Sequence, residues 1–144
     1  MKVGTGRAHL PGTMNLPTEW MPPPMLVRSA IAAVWLYEGL WSKVLGRQPS
    51  QGRITEAVPF LGPGAGPAFL KALGVVETLL GLWVLSGWEP VWAAIVQTAL
   101  LVSMNSVGLL FARELIHDPP GMVLKNAALV VLMWVAAAQG RAGG

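Results

Sequence analysis

Four stretches of the chain are almost entirely apolar: Met25 to Leu45, Ala68 to Gly87, Val91 to Ala112 and Met122 to Gln139, with turn-rich segments between them. Each is about 18 to 22 residues long, and at roughly 1.5 Å of helical rise per residue that length covers a hydrocarbon core of about 30 Å. The pattern therefore predicts an all-α fold, a bundle of four transmembrane helices occupying residues 25–139. A soluble bundle would need one polar face per helix, and the polar positions in these runs are too few to make four. Trp20, Trp88, Trp92 and Trp134 fall near the ends of the runs, where an amphipathic ring suits the headgroup zone.

The connections differ in kind. Residues 1–24 form an irregular Pro/Gly-rich arm without the apolar run that a secretory signal needs, and residues 140–144 form a short tail. "WEP" between the second and third runs is a tight turn that makes those helices antiparallel neighbours, and "RELIHDPPG" ends in a Pro-Pro-Gly stop. The long connection, residues 46–67, is expected to lay Ile54, Val58, Phe60 and Leu61 on the membrane surface as a short amphipathic turn. Four spans put both termini on one side. Lys43, Arg47, Arg53, Lys71, Arg113 and Lys125 lie toward the other side, which leans that face toward the cytoplasm, but several of them sit inside the helices and no orientation is assigned.

Composition agrees with this reading. Hydrophobic residues make up 53% and charged residues 12%, where a soluble domain carries roughly a quarter charged. Mean hydropathy is +0.55. The chain has no cysteine, which excludes disulfides, CxxC redox chemistry and thiolate metal sites. The net charge is +3, yet the basic residues are scattered singly and form no patch that tracks a phosphate backbone, so nucleic acid is not a partner.

The charges inside the apolar runs carry the candidate chemistry. Counting residues from the run ends puts Glu38 roughly 10 Å deep and Glu77 roughly 13 Å deep from the same side. Asn105 falls in that half as well, and Lys43, Lys71, Lys125 and Asn126 sit about one turn in. A charge at such depth costs about 2.5 to 3.5 kcal/mol on insertion scales, so these groups are expected to face inward and to pair, with Lys71 or Lys125 as partners for the glutamates. Gly74, Thr78 and Gly81 line up beside Glu77 as a small-residue face for close helix contact. Gln97, Leu101 and Asn105 form a second inward stripe, and Gln97, Ser103 and Ser106 are read as helix-to-helix hydrogen-bonding glue. Glue does not require a charge, so Glu38 and Glu77 point to function. His9 and His117 stand alone at no ligand spacing and are read as surface residues, and "GPGAGP" lacks the strand and GK[ST] of a phosphate loop. No metal site is expected.

Arg28 leading into "VWLYEGLWSKVLG", then "GVVETLLG" with Gly74, Glu77 and Gly81, Gln97, and "DPPGMVLKNAAL" with Pro120, Gly121, Lys125 and Asn126 resemble the DoxX-like family of small four-helix membrane proteins. The resemblance covers about 115 residues and leaves the arm outside, as an added contact with a partner. It implies a multi-pass protein of a prokaryotic cytoplasmic membrane, in contact with lipid and with other membrane subunits. The implied function is a non-catalytic accessory subunit of a larger redox or electron-transfer complex. The alternative is a quinone-binding or quinone-reducing subunit, with quinone or bound lipid as the cofactor, the glutamates relaying protons, Lys43 or Lys125 polarising a carbonyl, and Trp35, Trp41 and Trp83 lining the pocket. A small-solute carrier ranks last, because no inverted repeat or broken helix pair is visible. The site set is Glu38, Lys43, Glu77, Asn105, Lys125 and Asn126, with no catalytic residue assigned.

Overall fold

The computed structural model describes residues 21–62 and 64–143, and the expectations for the arm before Met21, Trp20 and His9 included, lie outside them. The regular elements among the described residues are all helical: α1 Pro24–Leu36, a π-helix Tyr37–Val44, α2 Pro49–Glu56, α3 Gly66–Ser86, α4 Pro90–Phe111, a 3₁₀ turn Arg113–Leu115, and α5 Pro119–Ala142. Each α-helix carries proline at one of its first two positions, where the ring's fixed φ suits the helix and its missing N–H costs nothing. The prolines thus start the helices rather than break them. Between α3 and α4 the chain reverses through Gly87 at φ 70° and Glu89 at φ 47°, both left-handed. Asp118 starts α5 by accepting a hydrogen bond from the Gly121 N–H at 3.0 Å.

Three helices, α3, α4 and α5, are long and apolar enough to cross a membrane. The first apolar run behaves differently from expectation: it is not one α-helix but 13 α-helical residues followed directly by eight in a π-helix. The boundaries of the last run also move, since α5 starts at Pro119 and continues to Ala142, taking in most of the expected tail. The surface amphipathic turn is replaced by the polar helix α2. Val58 after it is buried, while Phe60 is 66% exposed and meets Phe111 edge-on at 5.9 Å.

α1 packs against α3 on one side and α5 on the other, α4 packs against α5, and α3 and α4 make the sparser contact despite their short turn. The interior divides into two halves. Val27, Ile31 and Trp35 of α1, Leu80 and Val84 of α3, Ala93 and Ala94 of α4, and Met133 and Ala137 of α5 form a dry core toward the α3–α4 turn. The polar side chains occupy the half under α2. The outer surface is apolar, with Leu110 at 76% and Leu124 at 73% exposed, as lipid contact requires.

The closest approach lies between the π-helix and α3. A Cβ added at Gly39 would sit 2.6 Å from the Gly74 carbonyl oxygen and 2.8 Å from Glu77 Cβ. One added at Gly74 would sit 2.7 Å from the Gly39 oxygen and 2.8 Å from Lys43 Cβ. Gly81 continues the seam against Ala32, Trp35 and Leu36, so the small-residue face expected beside Glu77 is the face that packs.

This seam is directly testable by substitution. Gly39→Ala forces a methyl into backbone and is expected to destabilise the detergent-solubilised protein by about 1–3 kcal/mol in a chemical unfolding titration. Gly52→Ala in α2 meets nothing within 4 Å and is expected to show no loss. Equal stability of the two variants would refute a close-packed glycine seam.

Candidate functional site

In an α-helix, successive residues turn by roughly 100°, so Glu38 and Lys43, five apart, would point about 140° away from one another. One of the two charges would then face outward. The π-helix removes that conflict, because its carbonyls bond groups five residues on and its wider turn carries both side chains to the same side of the helix, Lys43 buried and Glu38 partly exposed. The Leu45 N–H bonds the Leu40 oxygen at 2.9 Å, the Ser42 hydroxyl donates to the Tyr37 oxygen at 3.1 Å, and Lys43 Nζ donates to the Glu38 oxygen at 3.4 Å. A locally widened helix of this kind recurs at functional sites.

Lys43 stands between the two glutamates. Its Nζ lies 2.7 Å from Glu77 Oε2 and 3.6 Å from Glu38 Oε2. The Lys43 and Glu77 side chains are 2% and 1% exposed, whereas Glu38 is 38% exposed. At 2.7 Å the Lys43–Glu77 contact is a close ion pair. Both Glu77 carboxylate oxygens are buried, and neither has a hydrogen-bond partner among the described residues. The partners expected for the glutamates are therefore corrected: Lys71 and Lys125 are exposed and pair with neither glutamate, and the ammonium comes from the same helix as Glu38.

These groups open onto a cavity of about 420 Å³. Glu38, Lys43, Glu77, Asn105 and Asn126 all line it, which unites five of the six expected site residues and leaves out Lys125. Asn126 Nδ2 donates to Asn105 Oδ1 at 2.7 Å and ties α5 to α4 across the cavity wall. Trp35 is also on the wall, with its indole N–H donating to Gln97 Oε1 at 2.9 Å. Gln97 in turn donates from Nε2 to the Ala93 oxygen at 3.0 Å, so its expected role as glue holds. Ser103 does not share that role, since its hydroxyl bonds the Ala99 oxygen within its own helix. Trp41 and Trp83 do not line the cavity: Trp41 is exposed beneath the Arg47 guanidinium, and Trp83 donates to the Trp88 oxygen near the opposite end.

Two contributions escaped sequence reasoning. α2 folds over the polar half, where Gln51 Nε2 donates to Glu38 Oε2 at 3.3 Å and Gln48 Nε2 donates to the Tyr37 hydroxyl at 3.1 Å. Its polar composition disguised it as a loop. His117, exposed as expected of a turn residue, also stands on the cavity rim. Among the described residues no group of three or more His, Cys, Asp or Glu could hold a metal ion.

The family model described as the DoxX-like family matches residues 32–134, which include Glu38, Lys43, Glu77, Asn105 and Asn126. No curated protein and no solved structure matches the chain.

Removing one partner of the buried pair strands the other, so Lys43→Met is expected to cost about 3–5 kcal/mol of stability in detergent. Lys43→Met combined with Glu77→Leu is expected to recover most of that loss. Additive losses in the double-mutant cycle would show that the two groups do not couple.

Proposed function

We propose that this chain, which belongs to the DoxX-like family, is a four-span integral membrane protein that binds a quinone-type head group and serves as a subunit of a membrane redox assembly. α1 and the π-helix together supply the first span, Pro24 to Val44, matching α3, α4 and α5 in length. Such an unbroken succession is long enough to cross the hydrocarbon core.

One observation carries the binding reading: Lys43 and Glu77, a buried ion pair whose carboxylate oxygens make no hydrogen bond among the described residues, line a cavity large enough for a small ring system. A purely structural bridge would satisfy both oxygens of Glu77, because each unsatisfied buried acceptor costs about 1–3 kcal/mol. The residues fit a quinone. The Lys43 ammonium donates toward a carbonyl oxygen, the Asn105 and Asn126 amides add polar contacts, and Trp35 offers an apolar ring. Protonated, Glu77 donates to a carbonyl; ionised, it accepts from a hydroxyl, so one side chain complements both forms of the couple. Glu38, partly exposed and held by Gln51, links Glu77 through Lys43 toward the cavity mouth, a path suited to moving protons. A bound quinone would supply a two-electron, two-proton couple. With no cysteine in the chain to ligate an iron–sulfur cluster, we assign the electron source to another subunit.

Replacing the central carboxylate tests the reading in reconstituted membranes. Glu77→Gln is expected to weaken binding of a decyl quinone by about tenfold or more, the scale of one hydrogen bond to a charged group. Glu38→Gln is expected to weaken it less. Unaltered binding by Glu77→Gln would remove the cavity as the quinone site.

A further inference from the structure

We infer that the apolar groove between α3 and α4 is the channel for the ligand's hydrocarbon tail, so that the ligand is a tailed amphiphile entering sideways from the lipid beneath α2. The inference rests on the cavity holding the polar head, as proposed above. Four observations support it.

First, the groove, about 230 Å³ in volume, is lined almost wholly by carbon: Phe69 and Leu73 of α3, Leu100 and Val107 of α4, and Ile54 and Val58 from the α2 segment. Second, it is continuous with the polar cavity, because Lys43, Gln51, Ile54, Met104 and Gly108 line both. Outside that shared end the polar lining is limited to the Thr55 and Ser103 hydroxyls. Third, α3 and α4 part at the end remote from their turn, where Phe69 is 42% exposed, so the groove faces the surface that meets lipid. Fourth, Gly108 keeps the junction open: it is buried, and a Cβ built there would touch only Ile116, at 3.5 Å.

Chemistry selects the occupant. A head held at Lys43 projects its substituents past Met104 and Gly108 into a lining whose remaining polar groups, the Thr55 and Ser103 hydroxyls, already donate to backbone oxygens of their own helices, which suits an alkyl or isoprenoid chain.

The test pairs a hydroquinone carrying a decyl tail with the same hydroquinone lacking it, measured by equilibrium binding to the protein in nanodiscs. Leu73→Trp and, separately, Ser103→Phe fill the groove from opposite walls without touching the head cavity. Ser103 is exposed, so its replacement leaves the core intact. In both variants the tailed ligand is expected to lose at least about tenfold in affinity while the tailless one binds as in the wild type. If both variants bind the tailed ligand as tightly as the wild type, the groove does not hold the tail and the inference is overturned. Wild-type protein that binds neither probe would instead overturn the head-group reading, and the tail channel with it.

Discussion

The contact between Lys43 and Glu77 sets the terms for most of this bundle. An ammonium and a carboxylate withdrawn from water are tolerable only in close pairing, and pairing at 2.7 Å demands that two helices approach until their backbones touch. Gly39 and Gly74 make that approach possible in a reciprocal way. The space a side chain would take at Gly39 is filled by Glu77 Cβ, and the space at Gly74 by Lys43 Cβ. Each glycine therefore houses the stem of the charged residue from the opposite helix. The π-helix is the third condition, because without it Glu38 and Lys43 would not share a side.

The same contact explains why the interior separates into two halves. Once the π-helix and α3 are locked at the glycine seam, α1 continues from it as an ordinary α-helix and packs Ile31, Val27 and Trp35 into a dry core with α3, α4 and α5. The buried Trp35–Gln97 hydrogen bond stands at the boundary, its indole ring facing the core on one side and the cavity on the other. Beyond it α4 and α5 are held by the Asn105–Asn126 pair, and α2 is tethered by Gln48 and Gln51. The dry half supplies packing; the polar half is held by few, specific hydrogen bonds.

Much of this was legible in the sequence. The long apolar runs are set by the scarcity of polar positions, and counting residues along them was enough to gather Glu38, Glu77, Asn105 and Asn126 in one half. The glycine face of α3 was legible too, since small residues at helical spacing beside a buried charge have few other uses. The partner of the glutamates was not. Reading Lys43 on a 3.6-residue period turns it away from Glu38, and no rule of composition announces where a helix will widen to i→i+5 bonding. α2 was missed for a different reason: its sequence "PSQGRITE" has no apolar stripe, and its place follows from tertiary contacts with Glu38 and Tyr37. The cavity itself, built by residues from every helix, has no counterpart in any local stretch.

Gln97 and Glu77 allow an internal comparison between structural and functional polarity. They are similar in size and equally buried, at 2% and 1% exposure. Gln97 accepts from Trp35 through Oε1 and donates to the Ala93 oxygen through Nε2, so both ends of its amide are satisfied within the fold. That is what a side chain retained for packing looks like in this bundle. Glu77 meets Lys43 as an ion pair through Oε2 and has no hydrogen bond to either oxygen among the described residues, at a position where glutamine would fit the same space without the cost of a buried charge. A buried carboxylate held by an ion pair alone costs the bundle stability that the satisfied amide of Gln97 does not, and that cost is offset only by the close approach of Lys43.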